Sequence, residues 1–140
     1  MQPATPARAA SADPSRVGAA GDALYQIGWE LYQRDAFVQA ADVFRFLVVI
    51  APSRSDAWWA LGACHEQRDD HAVAAEVYET GYRSGEQDLD LGLLCARARS
   101  RAGDLVGARR MIAELRGEAR DAHALGKVCV IERSMCGGPS

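Results

Sequence analysis

Trp58-Trp59-Ala60-Leu61-Gly62-Ala63-Cys64-His65-Glu66-Gln67, followed by Ala74 and Tyr78, carries small residues that recur at a fixed distance along the chain. Gly62 has counterparts at Gly28 and Ala96, and Ala74 has counterparts at Ala40 and Ala108, each a step of 34 residues away. Small residues recurring at that distance are what a stack of helix–turn–helix units requires. Two helices of one unit can approach closely only where neither carries a bulky side chain. A larger residue at the contact forces the helices apart and opens voids.

Aligned on that period, the units begin at Gly21, Ser55 and Leu89. The first places Leu24, Ile27 and Gly28 on its leading helix, Ala40 and Phe44 on its second, and Pro52 at its exit. The second places Trp58, Leu61, Gly62, Ala74 and Tyr78 in the same roles. The third places Cys95, Ala96, Ala108 and Ile112, with Gly92 where Trp or Leu is usual and Arg120 where Pro is usual. Residues 21–120 thus resemble the tetratricopeptide repeat. An all-α tetratricopeptide superhelix follows, of about three repeats and a C-terminal capping helix.

Seven helices are predicted, at roughly 21–34, 36–51, 55–68, 71–84, 88–101, 104–117 and 121–134. Asp35, Asp69-Asp70 and Gly103-Asp104 mark the turn inside each repeat. Asp there can cap the next helix and Gly tolerates positive φ. Ser55 is the expected N-cap of the third helix. The last helix does not continue the period, and it caps the apolar face that a solenoid leaves at its end. The repeat domain spans 21–134. Residues 1–20, rich in Ala, Ser, Pro and Gly without apolar periodicity, read as a flexible N-terminal tail, and residues 135–140 as a flexible C-terminal one.

The composition is 49% hydrophobic and 25% charged, which suits a globular domain and not a disordered chain. The net charge of −3 gives no footprint of a nucleic-acid binder. The longest apolar run, Phe46 to Ala51, is too short for a membrane span, and the N-terminus lacks a signal-peptide pattern. Cys64, Cys95, Cys129 and Cys136 form no CxxC pair, so they are expected reduced, as in a cytoplasmic protein. His65, His71 and His123 show no metal-ligand spacing, and no phosphate loop, dinucleotide fingerprint or nucleophile elbow is present. The sequence therefore predicts no enzyme, no metal and no cofactor.

The leading helices of such a stack line a concave surface. Repeat register places Tyr25, Trp29, Tyr32 and Gln33 there from the first repeat, Trp59, Ala63, Glu66 and Gln67 from the second, and Leu93, Arg97, Ser100 and Arg101 from the third. Tyr25, Trp29 and Tyr32 share one helix face, while Leu24, Ile27, Gly28 and Leu31 are expected to supply the packing face. Aromatic residues dominate binding hot spots. Tyr25, Trp29, Tyr32, Trp59, Ala63, Gln67, Leu93, Arg97 and Arg101 are therefore the candidate peptide-binding groove.

Three segments carry more than repeat consensus: Ala23 to Gln33, Ala41 to Leu47 and Trp58 to Gln67. They resemble the class II chaperones of type III secretion systems, whose pattern reads L-Y-x-[LI]-[AG]-[FW]-x-x-Y, then V-F-[RQ]-x-L, then an aromatic pair before L-G-x-C-x-Q. The likeness covers about residues 23–80, and Asp90-Leu91-Gly92-Leu93-Leu94 departs from the family's third repeat. It implies a bacterial cytoplasmic chaperone, associated with virulence, that holds an extended segment of a secreted translocator in its groove. It also implies a possible homodimer. A chaperone of a needle subunit and a generic scaffold joining two proteins are the alternatives. The carboxylate clamp of heat-shock co-chaperones is excluded, because Tyr25, Trp29, Ala60, Asp90 and Leu94 stand where that clamp needs Lys, Asn, Asn, Lys and Arg.

Overall fold

In the computed structural model the described residues, 14–85 and 87–137, form seven α-helices and no strand. They are α1 (Pro14–Gln33), α2 (Phe37–Ile50), α3 (Ser55–Gln67), α4 (His71–Ser84), α5 (Leu89–Arg101), α6 (Leu105–Glu118) and α7 (Ala122–Gly137). Each helix packs against the next. The leading helices also touch across repeats, α1 with α3 and α3 with α5, and α7 closes on α5 and α6. This is the tetratricopeptide arrangement that the spacing predicts.

The small residues sit where the period requires them. A Cβ on Gly28 would stand 2.7 Å from the Phe44 ring, and one on Gly62 would collide with the Tyr78 ring. In the third repeat the aromatic partner becomes Ile112, and there Ala96 is tolerated, fully buried. Ala40, Ala74 and Ala108 are likewise fully buried. Two apolar clusters result. One lies around Phe44, Leu47 and Leu61, the other around Tyr78, Tyr82, Leu91 and Leu115, and Trp58 packs against both.

The turns inside the repeats work differently from the expectation. Asp35 and Asp69 do not cap the next helix. They take the left-handed conformation themselves, at φ 60° and 57°, and Gly103 does so at 88°. Asp tolerates that region better than most side chains do. Of the three helices that follow these turns, only α6 has a side-chain cap, from Asp104 to the N–H of Gly107. Ser55 is likewise not a cap but the first residue of α3, preceded by Arg54. The Arg54 guanidinium instead ties α3 to α1, holding Asp56 at 2.9 Å and Asp22 at 2.8 Å.

The helices also run past the predicted boundaries. Helix α1 starts at Pro14, so residues 14–20 are helical and not a flexible tail. Ala19 and Ala20 favour helix, and Pro14 is tolerated in a first turn because its missing N–H would have no partner there. Helix α7 continues to Gly137. The rest of the predicted tails, residues 1–13 and 138–140, lies outside the described residues.

Candidate peptide groove

Helices α1, α3, α5 and α7 build the concave face. Two cavities lie along it. The first, about 290 Å³, is lined by Tyr32, Trp59, Ala63, Gln67, Arg97 and Arg101, together with Glu66, Tyr78 and Leu94. The second, about 1030 Å³, lies between the N-terminal halves of α3 and α5 and the facing side of α7. Trp59, Leu91, Leu93, Leu94, Val130 and Ile131 are its apolar walls, and Asp56, Asp88, Asp90, His123 and Lys127 its polar ones. Trp59 and Leu94 line both cavities, so the two adjoin and together make up one trough along this face.

Seven of the nine residues singled out in the sequence line this trough. Tyr25 and Trp29 do not. The buried face of α1 runs through Gly21, Leu24, Tyr25, Gly28, Leu31 and Tyr32, while Ile27, expected in the packing face, is 49% exposed. Tyr25 leans on Phe44 with ring centroids 5.6 Å apart and lies under the Arg54 guanidinium. Burial and the Asp56 carboxylate raise its hydroxyl pKa against the pull of Arg54. Trp29 stacks flat on Tyr32 at 5.5 Å, and Tyr32 meets the edge of Phe37. Trp29 thus backs the trough through Tyr32. Leu93 is a buried wall, only 6% exposed, whereas Trp59 is 42% exposed.

The polar residues of the smaller cavity are already held. Gln67 Nε2 donates to the Tyr32 hydroxyl at 3.0 Å. Glu66 accepts from the Tyr78 hydroxyl at 2.6 Å and faces Arg101 at 3.4 Å and Arg97 at 3.8 Å. Burial and the hydrogen bond to Glu66 push the Tyr78 hydroxyl far up its scale. Glu66 therefore organises this end, a role that its repeat position did not reveal. The wall from α7 was also missed, because that helix stands outside the repeat and has no register to read. Among the described residues no group of three His, Cys, Asp or Glu side chains could hold a metal ion.

No protein-family model matches the sequence, and no curated protein does. Solved structures do. PcrH from Pseudomonas aeruginosa superposes with a TM-score of 0.68 at 21% identity, over 84% of this chain and 92% of that one. The Yersinia enterocolitica type III secretion chaperone SycD, in complex with a peptide of the translocator YopD, gives 0.67 at 18% identity, over 82% and 91%. The chain has the fold of the type III secretion translocator chaperones. PcrH in complex with the chaperone-binding region of PopD shares it as well, at a TM-score of 0.66 and 20% identity, over 83% and 88%.

Proposed function

We propose that this protein is a chaperone of a bacterial type III secretion system. It takes an extended apolar segment of a secreted translocator into the concave trough and keeps that protein soluble and export-competent in the cytoplasm. It acts by binding, without chemistry of its own. The observation that carries the reading is the trough of two adjoining cavities that meet at the half-exposed Trp59 and at Leu94. Each large apolar side chain sunk into such a pocket is worth about 1.5–3 kcal/mol. An extended segment presents several and needs no fold of its own. The likeness in fold to chaperones crystallised with translocator peptides supports the same use of the trough.

Co-expression in the native host, capture of this chain and mass spectrometry of what comes with it test the reading. A translocator is expected, with capture reduced at least tenfold by Trp59→Ala. Capture of a needle subunit, or of no secretion protein, overturns it.

A further inference from the structure

We propose that the trough is polarised by charge, and that its occupant is an extended apolar segment with a basic side chain at one end and an acidic one about five residues away. The inference rests on the groove reading above and adds what the groove selects.

One end of the trough, at the N-termini of α3 and α5, carries Asp56, Asp88 and Asp90. Asp56 is engaged by Arg54 and Asp90 by Lys127 at 3.1 Å. None of the described ion pairs engages Asp88, which accepts only the N–H of Asp90 as a helix cap, at 2.9 Å. One negative charge is therefore left over at this end. At the other end Arg97 and Arg101 share a single carboxylate, Glu66, with His71 Nδ1 3.8 Å from it. Two guanidiniums against one carboxylate leave one positive charge over, and Arg97 Nε has no hydrogen-bond partner. Between the ends lie the apolar walls at Trp59 and Leu94.

The separation follows from the helix. Asp88, the acid left over, stands nine residues from Arg97 and thirteen from Arg101 along α5, ~13–20 Å at 1.5 Å per residue. An extended chain covers that distance in about five residues. Charges placed so fix register and direction more than they add affinity. A partner with both charges in place satisfies both ends; one with like charges repels at one of them.

Calorimetry with synthetic peptides tests this. A short alternating Leu/Thr peptide would carry Lys and Glu five positions apart, in both orders, with Lys/Lys, Glu/Glu and Gln/Gln versions as controls. One mixed order is expected to bind about three- to tenfold tighter than every control at low salt, with the advantage shrinking as salt is raised. On the Asp88→Asn, Arg97→Gln double variant, where Asn keeps the helix cap, both mixed peptides should bind no tighter than Gln/Gln does on that same variant. Control peptides binding as tightly as both mixed ones would overturn the polarity and leave the groove standing. If no peptide binds, both the groove reading and the polarity fail.

Discussion

Trp58 packs closely on the bare backbone of Gly81: a Cβ on that glycine would stand 2.5 Å from Trp58 Cβ. In the next repeat the same two positions hold Gly92 and Leu115, with the large and small partners exchanged, and Leu115 covers Gly92. The first repeat has Leu24 and Leu47 there. Every repeat keeps at least one large side chain at this contact, but which of the two positions supplies it changes. Gly92, which looks like a lapse from the repeat pattern, is one half of a matched pair.

That exchange makes a prediction. Gly92→Ala alone should cost about 1–3 kcal/mol by overpacking, and Leu115→Ala alone about 2–5 kcal/mol by leaving a cavity. The double variant should cost less than the sum, by about 0.5–3 kcal/mol, because each change relieves the other. Urea melts of the four proteins measure the cycle. Strict additivity would mean that the two residues do not fill one space.

Trp59 and Tyr32 should respond differently to truncation. Trp59 is 42% exposed, and Trp59→Ala should weaken peptide capture by about 2 kcal/mol or more while thermal stability changes little. Tyr32 stacks on Trp29, meets Phe37, accepts from Gln67 and packs on the first core cluster. Tyr32→Ala should therefore lose binding and also roughly 1–3 kcal/mol of folding, short of the 3–5 of a fully buried aromatic. Calorimetry run beside thermal melts separates the two. Equal, large losses of melting temperature in both variants would assign Trp59 to the core.

The cysteines should react in order of access. Burial pushes the thiols of Cys64 and Cys95 up to about 11, against the lowering by Arg45 and Arg99, and both are fully buried. Cys129 is a free thiol and only half-buried. Since the thiolate is the nucleophile, alkylation of the folded protein at pH 8, followed by peptide mapping, should mark Cys129 at least tenfold faster than Cys64 or Cys95. Denatured, unreduced protein should titrate as four free thiols. A lower count would contradict the reduced state.

His65 sets a pH dependence. It is 92% buried, at 8% relative exposure, with Nδ1 lacking a partner. Burial lowers its pKa below 6.5, with Asp70 working against that and Arg45 and Arg68 adding to it. The unfolded chain therefore binds this proton more readily than the folded one. Stability is expected to be full above about pH 6.5 and to fall as pH drops from there toward the folded-state value. Burial alone would raise the Glu79 carboxyl, yet hydrogen bonds and ion pairs with Arg99 and Arg83 carry it below 4.5. Its contribution is present above pH 4.5 and lost only at more acid pH, so the two windows separate. Chemical melts between pH 5 and 7.5 should show the His65 slope, and His65→Gln should flatten it.

Gly28, Gly62 and Ala96 could be found from sequence because a close helix contact admits few residues, and because the period repeats the constraint. Among the described residues, the helix count and the interior boundaries followed from the same spacing. The trough residues of the second repeat, Trp59, Ala63 and Gln67, were legible through that register. Tyr25 and Trp29 were not, since helical periodicity gives a face but not its rotation toward the neighbour, and one turn of α1 brings both core and trough into reach. The Ala-rich start of α1 was missed because it has no apolar pattern, although propensity favours it.

The repeat, the helices and the positions that must be small are written in the order of residues, because those depend on local spacing and on contacts recurring every 34 residues. That α7 walls the larger cavity, that Glu66 gathers Arg97, Arg101 and Tyr78, and that Leu115 fills the space over Gly92 emerge only once the helices pack. Those are meetings between side chains distant in the chain, fixed by how helices rotate and close on one another, and no period in the sequence encodes that rotation.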